Sequence, residues 1–83
     1  MSDINSYSDD ELMQEIKSDN MFAFDALYNK YHNRIYKFAY SFLKSREDSE
    51  NVVQDVFLKL WIHRLEVKNN SSIKAYVFTI TYN

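Results

Sequence analysis

With 83 residues and no Cys, Gly or Pro, the chain has room for one small core. It cannot form a disulfide, a thiolate metal site or a glycine-rich phosphate loop. The net charge of −2 hides blocks of opposite sign: residues 1–25 hold seven acids against Lys17, then Lys30, Arg34, Lys37, Lys44 and Arg46 follow with no acid among them, Glu47, Asp48, Glu50 and Asp55 form a second acidic block, and beyond these Lys59, Arg64, Lys68 and Lys74 face only Glu66.

A hydrophobic share of 46%, with 7 Tyr, 6 Phe and 1 Trp, argues for an aromatic core rather than disorder. Met1-Ser2-Asp3-Ile4-Asn5 is acidic and polar where a secretory leader would be basic and then apolar. No apolar run reaches membrane-spanning length, so the expectation is a cytoplasmic protein without membrane insertion. Without Gly or Pro to punctuate turns, helices joined by short polar turns are favoured, and the fold class expected is all-α, a small three-to-four-helix bundle. One domain over 1–83 is expected, with 1–7 as a disordered tail.

Ser8-Asp9-Asp10-Glu11 reads as a capping box that opens a first helix at about 9–18, with Leu12 and Ile16 on one face. The chain turns around Ser18-Asp19-Asn20. Phe24, Leu27, Tyr28, Tyr31, Ile35, Phe38 and Phe42 then keep a helical period, which predicts a long helix at about 21–44. Ser45 restarts the pattern as an N-cap before an acid-rich turn, giving a third helix at about 46–65 packed antiparallel to the second.

That third helix separates two faces. Val52, Val53, Val56, Phe57, Leu60 and Trp61 fall on one side, while Glu50, Asn51, Gln54 and Asp55 cluster on the other. A plain solvated face would mix Lys and Glu at i,i+4, whereas this patch gathers two carboxylates and two carboxamides suited to a basic, hydrogen-bonding partner.

Val67 to Ser72 is read as an exposed polar loop, after which Ser71 or Ser72 caps a last helix running to Asn83. Propensity alone would make Tyr76 to Tyr82 a strand, but a lone strand in a helical chain has nothing to pair with, and helix is favoured. In this stretch Lys68 and Lys74 offer charge, Asn69, Asn70, Ser71 and Ser72 offer hydrogen-bonding groups, and Tyr76, Phe78 and Tyr82 offer rings. These are the ingredients of single-strand nucleic-acid binding. The plainer alternatives are a solvated turn for Asn69-Asn70 and core packing for the rings.

Enzyme signatures are poor. There is no Cys nucleophile, no Glu stands three residues before a His, and His32 and His63 sit on separate predicted helices as exposed residues without a task. No catalytic residue, metal or cofactor is expected.

Taken in order, Asp10-Glu11-Leu12, Asp19 to Phe24, Leu27-Tyr28-Asn29-Lys30-Tyr31, Ile35 to Ala39, Asp48 to Trp61 and Ala75 to Asn83 resemble region 2 of bacterial sigma factors of the extracytoplasmic-function group, in the sigma-70 superfamily. The resemblance implies transcription initiation. The helix resembling 46–65 would dock on a coiled coil in the β′ subunit of core RNA polymerase through Asn51, Gln54 and Asp55, with Glu50, Leu58 and Trp61 nearby. The family more often has Asp where this chain has Asn51, which removes one charge from the docking face.

The resemblance also implies capture of the non-template strand of the promoter −10 element, with a base unstacked into a protein pocket. Lys68, Asn69, Asn70, Ser71 and Ser72 would form that loop, with Lys74, Tyr76 and Asn83 on the adjoining helix. An anti-sigma factor is a further implied partner. The family's second domain, which reads the −35 element, is absent, so a domain fragment is expected that binds polymerase weakly and promoters hardly at all when alone. The competing reading is a helical protein-interaction module whose acidic-amide face has no DNA role.

Overall fold

The computed structural model describes residues 6–67. The expected last helix and all eight expected DNA-binding residues, Lys68, Asn69, Asn70, Ser71, Ser72, Lys74, Tyr76 and Asn83, lie outside the described residues. Within them the chain forms α1 (Asp9–Lys17), α2 (Met21–Leu43), α3 (Arg46–Ile62) and a final 3₁₀ turn (Arg64–Glu66). No strand occurs among the described residues, so the all-α expectation holds there.

Local chemistry sets the helix ends. The Ser8 hydroxyl accepts from the Glu11 amide at 3.2 Å while the Glu11 carboxylate accepts from the Ser8 amide at 3.0 Å, so the capping box closes as expected. Asp9, Asp10 and Glu11 in the first turn and Lys17 in the last complement the helix dipole.

The turn out of α1 was not foreseen in detail. Asp19 takes a left-handed conformation at φ 66°, its amide donates to Ile16 at 2.9 Å, and the Asn20 amide donates to Glu15 at 3.0 Å. This pair of bonds is a helix-ending motif that usually uses Gly. In a chain without Gly, Asp is among the better substitutes. Asn20 also starts α2, its carboxamide oxygen accepting from Phe22 at 3.0 Å and Ala23 at 3.4 Å. Lys44, at φ 54°, closes α2 in the same left-handed region, and Ser45 caps α3 by accepting from the Asp48 amide at 3.2 Å.

The core joins Leu12, Met13 and Ile16 of α1 to Ala23, Leu27, Tyr31 and Ile35 of α2 and to Val53, Val56, Phe57 and Leu60 of α3. Tyr7 packs half-buried against it. Phe24 meets Trp61 edge-on at 5.4 Å between ring centres, and Tyr28 meets Phe57 at 4.8 Å. At the opposite end Tyr36 shares a groove with Arg46 and Glu50. The start of α2 thus meets the end of α3, and the two are antiparallel.

Three expectations shift. Phe42 follows the helical period but is 67% exposed, its ring edge-on to Phe38 at 5.2 Å, and Ala39 is the buried side chain in that turn. The α-helical part of α3 stops at Ile62 rather than 65. Beyond it Arg64 donates to the Trp61 carbonyl at 2.8 Å and to the Asp19 carboxylate at 3.0 and 2.7 Å, which holds the turn against the α1–α2 corner. The Lys17 ammonium donates to the Val67 carbonyl, and Val67, expected to begin the exposed loop, is instead buried in the core.

Besides the shared core, one carboxylate ties α1 to α2. Asp9 accepts from both the Lys30 ammonium and the Tyr31 hydroxyl. Burial, reinforced by this hydrogen bond and the charge of Asp9, pushes the Tyr31 hydroxyl up from 10.0 to about 12. A raised folded value means that the unfolded chain releases its proton first, so the stabilisation is complete below pH 10 and is lost as pH rises through 12. Tyr31→Phe should therefore cost about 1.5–3 kcal/mol at pH 8, and urea titrations of both proteins should show that gap shrinking as the pH climbs through this window. A gap that stays constant would reject the coupling.

Candidate polymerase-docking face

α3 turns Glu50, Asn51, Gln54, Asp55 and Leu58 to solvent while Val53, Val56, Phe57 and Leu60 are buried. Four apolar contacts on one side and four polar side chains on the other give a stiff helix whose outer face is presented rather than merely exposed. Trp61, expected near this face, is half-buried. Its ring meets Phe24 edge-on, and the Arg64 guanidinium lies 4.0 Å from its centre.

Ser49 explains how α3 can lie close at its first turns. It is fully buried, and its hydroxyl donates to the Ser45 carbonyl at 2.6 Å, so a small polar side chain is accommodated without an unpaired group.

The carboxylates are not idle. Glu50 pairs with Arg46 at 3.4 Å and Asp55 with Lys59 at 3.0 Å, each one helical turn away along α3. The patch therefore carries the i,i+4 pairs that the sequence reading set aside. Both pairs are more than half exposed on the acid side and are worth only about 0.3–0.5 kcal/mol each, so a partner cation can displace them at small cost. The carboxamides of Asn51 and Gln54 make no hydrogen bond to any described residue.

Two depressions flank Gln54, and α2 supplies much of both. One is a groove of about 670 Å³ lined by Tyr28, His32, Asn33 and Tyr36 of α2 and by Arg46, Glu50, Val53 and Gln54 of α3. The other is a shallow apolar hollow of about 300 Å³ formed by Met21, Phe24, Tyr28, Gln54, Phe57, Leu58 and Trp61. The sequence reading missed the contribution of α2. His32, expected to be exposed, is half-buried, stacked on Tyr28 with ring centres 5.1 Å apart and placed at the groove. Its i+4 relation to Tyr28 and Tyr36 was the available signal. His63 is tied to Glu66 at 2.6 Å.

Leu58 is 56% exposed at the rim of the apolar hollow. The arrangement offers a partner helix one greasy contact and, a turn away, carboxylate and carboxamide acceptors. Among the described residues no group of three or more potential ligands gathers that could hold a metal, and no helix is long and apolar enough to cross a membrane.

The family model described as sigma-70 region 2 matches residues 27–83, beginning inside α2 and leaving α1 outside the match. The protein named "ECF RNA polymerase sigma factor SigM" from Bacillus subtilis (strain 168) is 29% identical over 59 residues, covering 71% of this chain and 36% of that protein. The chain thus spans little more than a third of that relative's length. No solved structure matches. The family match extends over well more than half of the chain, which belongs to the sigma-70 region 2 family.

Proposed function

We propose that this chain is the domain of an RNA polymerase sigma factor that docks on the β′ coiled coil of the core enzyme through α3 and captures the non-template strand of the promoter −10 element through residues 68–83. The observation that carries the docking half is the orientation of α3. Glu50, Asn51, Gln54, Asp55 and Leu58 all face solvent from a helix whose other side is locked in the core. Arginines on a coiled-coil helix are the complement for carboxylates and carboxamides presented this way.

Capture of the full chain on immobilised β′ coiled coil tests this half. Gln54→Ala should lower retention about 10-fold or more by removing a free carboxamide at the centre of the face. Retention equal to that of the unsubstituted chain would count against the assignment and favour a module with another partner.

The DNA half rests on composition and family. Lys68 and Lys74 are the cations of the segment, Asn69, Asn70, Ser71 and Ser72 its small hydrogen-bonding residues, and Tyr76 and Asn83 its further candidates. Unpairing a base costs a few kcal/mol, which the protein must return through stacking and hydrogen bonds. Binding to single-stranded non-template promoter sequence is expected to weaken with salt and to fall when Lys68 and Lys74 become Ala. Unchanged affinity in that variant would exclude this segment as the contact. By the same family reading, an anti-sigma factor would cover the α3 face when the protein is held inactive, and the site of action is the cytoplasm.

A further inference from the structure

α2 distributes its charge along one line. Lys30, Arg34 and Lys37 stand at i, i+4 and i+7, and at about 100° per residue they share a stripe roughly 60° wide; Lys44 follows as the cap of α2. All four are exposed, and Lys30 and Arg34 run along the edge of the face that buries Leu27, Tyr31 and Ile35. No acid occurs between Lys30 and Arg46. Lys30 is held by Asp9 and Arg34 lies 6.0 Å from the Tyr31 ring, but no ion pair with a described residue engages Arg34, Lys37 or Lys44. Asn33 and Tyr40 border the stripe, and Tyr40 is stacked on Tyr36 at 6.0 Å.

Five acids of the first 25 residues, Asp9, Asp10, Glu11, Glu15 and Asp19, lie instead in α1 and the turn after it, so the domain is electrically polarised despite its net negative charge. The stripe itself holds no large apolar side chain. A protein partner would normally need an apolar centre in its contact, whereas a phosphate backbone asks only for spaced cations that displace condensed counterions. Arg34 to Lys44 covers about 15 Å of helix, which is the axial span of about four phosphates of one DNA strand.

We propose that Arg34, Lys37 and Lys44 form a second nucleic-acid track, which holds the DNA backbone without reading bases and uses none of the residues assigned to the α3 docking face or to the 68–83 segment. The choice of DNA as the polyanion rests on the promoter reading above; the track itself rests on the geometry of α2.

The test is binding of the full chain to labelled DNA of promoter and of scrambled sequence over a salt series. In the variant Arg34→Gln, Lys37→Gln, Lys44→Gly, the slope of log affinity against log salt should become shallower by about 2–3, equally for both sequences. Glycine removes the Lys44 charge at a left-handed position that favours it. The double variant Arg34→Gln, Lys37→Gln, which leaves that turn alone, should show about two-thirds of the change. Capture on the β′ coiled coil should be unaffected, which separates failure of the track from failure of docking. An unchanged slope, or no salt-dependent binding by the unsubstituted chain, would overturn the proposal. So would competition by polyglutamate as effective as DNA at equal charge, since the stripe would then be a general surface for acidic proteins.

Discussion

Leu60→Ala is expected to cost about 2–5 kcal/mol, the range for emptying a fully enclosed leucine site, and to lower the melting temperature by about 10 °C or more. Leu60 has no exposed surface and sits in the cluster that joins all three helices, so the surrounding side chains have little freedom to close over the gap. The informative comparison is Leu58→Ala on the same helix. Leu58 is 56% exposed, and its truncation should change stability by no more than about 0.5 kcal/mol while weakening capture on the β′ coiled coil. Identical chemistry two positions apart should divide cleanly, one leucine supporting the fold and the other the contact. Equal losses of stability would mean that α3 is not oriented as described.

Asp55→Arg is expected to reduce capture on the coiled coil by about 30-fold or more, because placing a cation against a basic partner and losing a charge-assisted contact together cost about 2–5 kcal/mol. The price within the helix is small by comparison. The Asp55–Lys59 pair is exposed, and exchanging it for a like-charge pair one turn apart costs only about 0.4–1 kcal/mol. Thermal melting should therefore fall by no more than a few degrees while binding collapses. A parallel fall in both would assign Asp55 to the fold instead.

The parts of the fold that were legible in the sequence are those governed by neighbours in the chain. Ser8, Glu11 and Ser45 cap helices through bonds spanning three residues, and those preferences operate wherever the residues occur. The inward set of α3 was legible for a related reason: Val53, Val56, Phe57 and Leu60 repeat at helical spacing and all are buried. Position along α2 was harder. Periodicity puts Phe42 in line with Ile35, but the sequence pattern carries no information on where the neighbouring helices end, and Phe42 is largely exposed.

The two left-handed residues were hidden because their usual signal, Gly, is absent from the chain; Asp19 and Lys44 take those positions instead. The early end of α3 depends on Arg64 reaching Asp19, 45 positions away, a contact that no local window reveals. For the docking face, Glu50, Asn51, Gln54 and Asp55 were legible as one patch. Their partners Arg46 and Lys59 were not weighed because they lie just outside it, and the α2 side of the two depressions requires knowing that Tyr28 and His32 pack beside Gln54.

The most direct measurement is an amide chemical-shift map of the full chain titrated with purified β′ coiled coil. The account predicts shifts and intensity losses concentrated at Glu50, Asn51, Gln54, Asp55, Leu58 and Trp61, with smaller changes at Tyr28 and His32 across the groove and none in α1. A map centred on α1 or on the Arg34–Lys44 stripe, with the outer face of α3 silent, would contradict it.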